Sequence, residues 1–479
     1  MKFLLRHDVA SFLLSPAAIA GSVAWPTFGV PVPYFGGGEH TSQSDAASMM
    51  RPGSWRANAG PRQQPGSDGH RSRMTRRPRT LLLSASALFL VLASSGCGAA
   101  STSAVVAAGK PSPTGGSLAS PRPSASESSP QPASPSCSAQ VLSRMTEAQR
   151  VGQLFLVGVA GDPVSDVAQA VAAYHFGSLL SAGNLTAGVA GLQQLTSAYQ
   201  SLATGRVRFF IAANQEGGEV QSLQGPGFSA MPSALAQGSL SPYALQQQAA
   251  VWGRELRSAG FNLNLAPVMD VVPAGTADQN QPIGMLEREF GYSPATVAAH
   301  GVAFIRGMQQ AGVATTAKHF PGLGRVQGNT DFTAGVVDTM TTPDDSYLQS
   351  FQAAIDAGVP FVMIALATYT RIDPRHLAVF SPEVMGVILR QQMHFKGVIV
   401  SDDLGAATAV ASISPAVRGI EFLTAGGDLI TSQSLAAAAT MDSVILKLTA
   451  ADTAFRAVVN SAVMHVLSAK QAYHLLPCS

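Results

Sequence analysis

Residues 397–403 read GVIVSDD, a short run of β-branched residues that follows a glycine and ends in two carboxylates. Such a run favours a strand buried on both faces, and the polar residues after it indicate that the chain leaves the core there. The pattern recurs along the last two thirds of the chain. The eight runs are VGQLFLVGV (151–159), FGSLLSA (176–182), VRFFIAAN (207–214), FNLNLAPVMD (261–270), VATTAKHF (313–320), PFVMIAL (360–366), GVIVSDD (397–403) and GDLITS (427–432).

Amphipathic or alanine-rich segments separate these runs and predict helices. They include residues 243–259, 293–311, 346–357 and 382–394, and a long helical tail over about 434–472. Strands that alternate with helices form βαβ units around a parallel sheet, and eight repeats favour closure over an open, doubly wound sheet. We therefore predict an α/β fold, a single (β/α)₈ TIM-type barrel over residues 137–479.

Polar residues stand at the ends of several runs, where a barrel places its functional site. The residues in question are Asn214, Asp270, Lys318, His319, Asp402 and Asp403. Side chains from separate strands would converge on one rim.

The segment RRPRTLLLSASALFLVLASSGC (76–97) has a basic start, a short apolar stretch and small residues before Cys97, which is typical of a secretory signal with a lipoprotein-like cleavage site. We expect lipidation at Cys97 and a position on the extracytoplasmic face of the membrane. Ordinary cleavage or a retained anchor is the alternative. Residues 1–73 are interpreted as a non-native extension before a true start at Met74.

Residues 98–136 are rich in Ser, Pro and Ala and predict a disordered linker, because they offer little apolar surface to bury. The folded unit then opens with Cys137 and nearly ends with Cys478. A closed barrel brings its termini together and an exported chain meets an oxidising compartment, so we expect a Cys137–Cys478 disulfide.

Composition excludes other classes of protein. The chain carries 30 basic and 28 acidic residues, and the basic excess lies in the first 97 residues, so no nucleic-acid-binding surface is expected. The three cysteines lack zinc-ligand spacing. We expect a monomer.

Two motifs carry the chemistry. KHFPGLG (318–324) offers a cation and an imidazole suited to the hydroxyls of a polar, uncharged ligand, and it does not match a phosphate-binding loop. In VIVSDDL (398–404), Asp402 is the predicted nucleophile, kept ionised by Lys318, and Asp403 is interpreted as a cap of the following helix.

These motifs resemble glycoside hydrolase family 3, specifically its single-domain β-N-acetylhexosaminidases and, among them, the exported actinobacterial lipoprotein branch. The similarity also rests on VGQLFLVGV and on NQEGGEVQ (214–221), LNLAPVMDV (263–271), REFG (288–291), IDAGVPFVMI (355–364) and FSPEV (380–384). It implies retaining hydrolysis of terminal β-linked N-acetylglucosamine, with Asp402 as nucleophile and Lys318, His319, Arg288 and Asn214 as sugar-binding residues. It implies no cofactor and no metal, and together with the expected extracytoplasmic location it implies a cell-wall muropeptide as substrate.

The chain departs from the family pattern at several positions. Asn214 replaces an aspartate, Glu219 replaces an arginine, and Leu366 stands where a histidine is common. The Asp-Ser-His motif that supplies the family's acid/base is replaced by residues 329–331, Asn-Thr-Asp. Asp331 is therefore the candidate acid/base, provided that its pKa is raised.

These residues are also compatible with other functions. Arg325 hints at an anion site and so at phosphate as an alternative acceptor. The departures also suit a catalytically weakened carbohydrate-binding or sensing lipoprotein, and a family 3 β-glucosidase is the remaining candidate.

Overall fold

The computed structural model describes residues 135–478 of the chain. The predictions for the N-terminal extension, the signal segment, Cys97 and the linker up to residue 134 lie outside the described residues. Within residues 135–478, no helix combines the length and apolar character needed to cross a membrane.

Eight parallel strands form the central sheet, as the apolar runs predict. They are β1 (Phe155–Val159), β2 (Ser178–Ser181), β3 (Phe210–Ala213), β4 (Leu263–Asn264), β5 (Ala314–Phe320), β6 (Phe361–Ile364), β7 (Val398–Ser401) and β8 (Ile430–Ser432). Each strand pairs with the next along the chain, and β1 also pairs with β8. A parallel bridge between Val400 and Leu429 joins β7 to β8. The sheet closes on itself, and the predicted TIM-type barrel is confirmed.

Helices surround the barrel. They are α1 (Cys137–Arg144), α2 (Glu147–Gly152), α3 (Val164–Tyr174), α4 (Gly188–Ser201), α5 (Ala234–Gln237), α6 (Pro242–Ser258), α7 (Pro294–Gln310), α8 (Gln349–Asp356), α9 (Pro415–Thr424), α10 (Leu435–Ala451) and α11 (Thr453–Ala472), with a π-helix at Glu383–Gln392. Short 3₁₀ helices lie at Thr204–Arg206, Ala277–Gln279, Gly284–Leu286, Ser346–Leu348, Ala378–Phe380 and Thr408–Val410. The predicted helical tail over about 434–472 consists of two helices, because Asp452 ends α10 and caps α11 by accepting the N–H groups of Ala454 and Phe455.

The C-terminal segment closes the amino-terminal end of the barrel. Phe210 and Phe361, the first residues of β3 and β6, pack edge to face with centroids 5.3 Å apart. The ring of Tyr473 packs against Phe210, and Val466 of α11 and Leu475 join the apolar interior. With this end filled, the carboxyl-terminal end of the barrel is left for a site.

A disulfide joins Cys137 of α1 to Cys478, whose Cα atoms lie 5.9 Å apart. Beside it, the backbone N–H of Ser138 donates to the Gln471 side chain of α11. The first helix and the last residues of the folded unit are therefore held together covalently.

A small three-stranded sheet stands on the loops that follow β5 and β6. Its strands are Val337–Asp338, Thr368–Tyr369 and Asp373–Leu377, with Thr368–Tyr369 in the middle. The Tyr369 hydroxyl donates to the carbonyl of Gly322 at 2.7 Å. Because Gly322 belongs to the KHFPGLG loop, this sheet lies at the carboxyl-terminal mouth of the barrel.

Candidate active site

Glu216, Arg288 and Lys318 form a charged cluster at the carboxyl-terminal mouth of the barrel, with Glu216 at its centre. Glu216 lies just after β3 and is buried, 4% exposed. Its carboxylate accepts two hydrogen bonds from the Arg288 guanidinium, at 2.8 and 2.9 Å, and forms an ion pair with Lys318 Nζ at 2.7 Å. Lys318 Nζ also donates to Asn214 Oδ1 at 2.9 Å. Residues from β5 and from the segments after β3 and β4 thus meet at one point.

These contacts fix the charge of Glu216. Burial by itself would raise the pKa of this carboxyl group, but the charges and hydrogen bonds of Arg288 and Lys318 outweigh burial and lower the pKa to about 2. Glu216 is therefore a permanent anion between two cations. We predict from the sequence that Lys318 keeps Asp402 ionised, yet the direct ion-pair partner of Lys318 is Glu216.

His319 is held by Asp270 in the loop after β4. Its Nδ1 lies 2.8 Å from Asp270 Oδ2, while Asp270 Oδ1 accepts the N–H groups of His319 and Leu323. The peptide bond between Lys318 and His319 is cis. A ring that donates from Nδ1 to a carboxylate presents Nε2 as an acceptor when neutral, which suits a sugar hydroxyl.

Asp402 follows β7 and is half-buried. Its Oδ1 accepts the N–H of Asp403 at 2.8 Å, and no residue of 135–478 forms a hydrogen bond with Oδ2. Asp403 differs, because its two oxygens accept backbone N–H groups from Gly405, Ala406 and Gln433. It secures a turn rather than capping a helix, and Asp402 is the carboxylate with a free oxygen.

Asp331 lies in the loop after β5, and that loop is tied to the loop after β7. The carbonyls of Thr330 and Asp331 accept the N–H groups of Ala409 and Thr408, each at 3.1 Å. The Asn329 side chain accepts the N–H of Asp331 at 3.0 Å. The loop carrying Asp331 is thereby fixed to the segment that begins at Asp402.

The surroundings of Asp331 raise the pKa of its carboxyl group. Asp331 is exposed at the surface, yet the surrounding protein excludes part of the solvent from its carboxyl group. This partial desolvation and the charge of Asp402 raise its pKa, while the cations Arg288 and Lys318, together with His319, oppose the rise. A raised pKa is the property that a proton donor at this position requires.

Arg325 does not offer an anion site. Its guanidinium pairs with the Asp345 carboxylate at 2.5 and 3.2 Å, donates to Thr341 and stacks on the Tyr347 ring at 3.8 Å. These contacts stabilise the loop after β5. The expectation that Arg325 binds an anion such as phosphate is therefore wrong.

The remaining departures from the family pattern fall in different places. Asn214 lies in the charged cluster, Leu366 is fully buried in the hydrophobic core, and Glu219 is exposed. No group of three or more His, Cys, Asp or Glu side chains in the described part of the chain is arranged to hold a metal ion.

Sequence reasoning missed two residues of this site. Glu216 stood in a quoted motif but received no role, although a carboxylate directly after a strand is the signal that singled out Asp402. Asn280 gave no signal. It is buried, and its side chain bonds Leu323, Val326, Ile283 and Gly284.

The fold and the site define a (β/α)₈-barrel protein with two carboxylates, Asp402 and Asp331, beside a buried Glu–Arg–Lys cluster at its mouth. The chain belongs to glycosyl hydrolase family 3. Residues 146–469 match the family model of the glycosyl hydrolase family 3 N-terminal domain.

Individual proteins agree with this membership. A beta-N-acetylhexosaminidase from Beutenbergia cavernae shares 48% identity and a TM-score of 0.66, covering 68% of this chain and 99% of that one. A family 3 beta-N-acetylglucosaminidase from Paenibacillus shares 27% identity and a TM-score of 0.61, covering 69% and 63%. A beta-hexosaminidase from Stenotrophomonas maltophilia is 36% identical over 231 residues, which are 46% of this chain and 65% of that protein.

Proposed function

We propose that this protein is a retaining exo-β-N-acetylglucosaminidase that hydrolyses terminal β-linked N-acetylglucosamine from cell-wall muropeptide fragments. One observation carries the mechanism: Asp402, with a free oxygen, and Asp331, with a raised pKa, interact across one barrel mouth. The names of the relatives support the sugar preference.

Retaining hydrolysis needs two carboxyl groups in opposite protonation states. Asp402 attacks the anomeric carbon and forms a glycosyl ester while Asp331 protonates the departing oxygen. Asp331 then removes a proton from water, which attacks the same carbon and releases Asp402. The negative charge of Asp402 raises the pKa of Asp331 and so favours this division of roles.

The cluster around Glu216 supports binding of the sugar. Arg288 and Lys318 are fixed by Glu216, so they meet the ligand with little loss of side-chain entropy. His319 is oriented by Asp270 in the same way. Asn214 keeps an amide N–H group for a hydroxyl where the family's aspartate would accept one.

We propose further that the protein is exported and anchored by lipid at Cys97. The signal-like segment and the cysteine at its end support this location, and the Cys137–Cys478 disulfide suits an oxidising compartment. Incorporation of labelled fatty acid that disappears in Cys97→Ser would support the anchor. Labelling that persists in the variant would contradict it.

The function is tested by release of aryl alcohol from an aryl β-N-acetylglucosaminide and from the matching β-glucoside. We expect turnover of the first substrate, its loss in Asp402→Ala and its retention in Asp356→Ala, which removes an exposed carboxylate of α8. NMR should show the β-anomer of N-acetylglucosamine as the first product. Sugar binding without turnover would instead favour the sensing lipoprotein, and an α-anomer would exclude the retaining mechanism.

The role of Asp331 has its own measurement. In Asp331→Ala, hydrolysis of substrates with poor leaving groups should fall far more than hydrolysis of activated aryl glycosides, because good leaving groups need little protonation. Added azide should rescue the second step and give the β-glycosyl azide. Equal losses without rescue would assign Asp331 to the loop structure alone.

A further inference from the structure

A cavity of about 400 Å³, hereafter the α3 pocket, lies under helix α3 and outside the strands of the barrel. Val157 and Leu179 line it, and both belong to the apolar layer between strands and helices, whereas Leu156 and Leu180 belong to the barrel interior. The walls are mainly apolar and include Val157, Val159, Val167, Val171, Phe176 and Leu179.

Small residues leave this space open. Gly158 and Ala182 line the pocket beside β1 and β2, and Ala170 lines it from α3. Leu435, the first residue of α10, also lines it and is 44% exposed, so solvent reaches the pocket. Predominantly apolar walls around a volume of this size are typical of sites for small molecules. A single short chain or ring system fits this volume, whereas a lipid with two acyl chains does not.

Two carboxylates line the pocket among these apolar walls. Asp162 Oδ2 accepts the N–H of Ala160 at 3.1 Å, and Asp166 Oδ1 accepts the hydroxyl of Ser165 at 3.0 Å. The Tyr199 hydroxyl donates to the carbonyl of Asp162 at 2.7 Å and so fixes this loop. Neither carboxylate forms an ion pair with a residue of 135–478, and no Lys, Arg or His of that range lines the pocket. The two negative charges are therefore unbalanced.

Gln433 separates the α3 pocket from the sugar site. It lines the pocket, and its backbone and side-chain N–H groups donate to the two oxygens of Asp403 at 2.9 and 3.3 Å. Asp403 in turn donates its N–H to Asp402. Neither Asp402 nor Glu216 lines the pocket. A ligand can therefore occupy it while a sugar occupies the mouth of the barrel.

We propose that the α3 pocket binds a small amphiphilic amine, whose apolar part fills the space under α3 and whose ammonium group lies beside Asp162 and Asp166. Burial of the apolar part supplies most of the binding free energy, and the two carboxylates select for positive charge. A neutral ligand gains only the first contribution, and an anion is repelled. The inference does not depend on the proposed function, because no residue assigned to catalysis or sugar binding lines the pocket.

The experiment measures the binding of octylamine, octanol and octanoate by isothermal titration calorimetry. It uses the full-length chain with Cys97→Ser, so that no attached acyl chain can enter the pocket. Octylamine should bind roughly three- to tenfold more tightly than octanol, because partly exposed carboxylates contribute modestly, and octanoate should bind most weakly. Saturating N-acetylglucosamine should leave the affinity for octylamine unchanged.

Two kinds of variant locate the site. The double variant Asp162→Asn/Asp166→Asn should bind octylamine and octanol equally, whereas Asp356→Asn, which removes an exposed carboxylate of α8, should keep the preference. Ala170→Phe should fill the pocket and abolish binding of all three probes. Ala172→Phe, the same change at an exposed position of α3, should leave binding intact. Thermal unfolding shows which variants are folded, and the double Asn variant decides if Ala170→Phe is not.

The outcomes are distinct. Absence of octylamine binding, or equal affinities for octylamine and octanol in the protein with both carboxylates, would overturn the proposal. So would binding that survives in a folded Ala170→Phe protein or that N-acetylglucosamine displaces. Turnover of the aryl glycoside tests the proposed function separately, so failure of either proposal leaves the other standing.

Discussion

At the scale of single residues, Glu216 balances the positive charges of both Arg288 and Lys318. Replacing it by Gln leaves Arg288 and Lys318 next to each other with no anion between them. We expect Glu216→Gln to lower the free energy of unfolding by roughly 3–5 kcal/mol, as for other broken buried pairs, and to abolish sugar binding. Thermal unfolding and ligand titration measure the two effects.

Glu219→Gln is the matched control, because it makes the same chemical change at an exposed position in the same loop. It should leave both quantities unchanged. A Glu216→Gln variant as stable as the control would show that the cluster does not depend on the carboxylate.

Glu289, next to Arg288, is buried and neither of its oxygens has a hydrogen-bond partner. Burial, with the nearby charges of Glu287 and Asp270, raises its pKa to about 7. The folded protein therefore keeps a proton here that the unfolded chain releases at lower pH, so this residue costs stability as pH rises from about 4.5 to 7.

Glu289→Gln removes that titration while keeping the shape. The variant should gain roughly 1–3 kcal/mol relative to wild type between pH 5 and pH 8, as the shift in pKa implies. Denaturant unfolding at both pH values checks this, with Glu219→Gln as an exposed control. A difference between variant and wild type that does not change with pH would rule out titration of Glu289.

At the scale of elements, the loops rather than the strands determine the geometry of the site, and Asn280 joins two of them. Its amide donates to the carbonyls of Leu323 and Val326, and its oxygen accepts the N–H groups of Ile283 and Gly284. Asn280→Asp turns the donor into an acceptor that faces two carbonyls. We expect a loss of roughly 2–4 kcal/mol in stability and a lower kcat/KM.

Asn329→Asp provides the stability control for this change, because the Asn329 side chain only accepts a hydrogen bond, from the N–H of Asp331. An aspartate retains that acceptor, and its unfolding temperature should match wild type. Equal unfolding temperatures for both variants would argue against Asn280 as the connector of the loops.

The strands could be predicted from the local sequence more completely than the ends of the helices. Each strand lies in a short, mostly apolar run of the sequence, and such a run can be recognised without knowledge of its neighbours because the strand is buried on both faces. The break between α10 and α11 was not predicted, because Asp452 interrupts an otherwise continuous helical composition with a single cap. One capping residue is a weak signal in a long alanine-rich segment.

At the scale of the whole molecule, the Cys137–Cys478 disulfide encloses the barrel. The double variant Cys137→Ser/Cys478→Ser should lose roughly 3–5 kcal/mol of stability, because a bridge across so long a loop restricts the unfolded chain. Differential scanning calorimetry with and without reductant measures this. Reductant should lower the unfolding temperature of wild type and leave the variant unaffected, and a wild type indifferent to reductant would contradict the prediction.

The sequence by itself determined the barrel, the family, and the polar residues in or shortly after its strands, namely Asn214, Asp270, Lys318 and Asp402. Strand patterns and strand-end residues are local properties, and a parallel barrel sends every strand end to the same face. Only the tertiary structure decided which side chains are partners. Glu216 and Arg288 are 72 residues apart, and Asn214 and Lys318 are 104 apart.

Such pairings depend on barrel closure and on loops whose paths no local pattern fixes. For that reason the local sequence predicts Asp402 as the partner of Lys318, although Lys318 pairs with Glu216, and it predicts an anion site at Arg325, although Arg325 pairs with Asp345. The hydrogen bonds between the loop of Asp331 and residues 408–409 were unpredictable for the same reason. They join backbone groups, so the side chains give no sign of the contact.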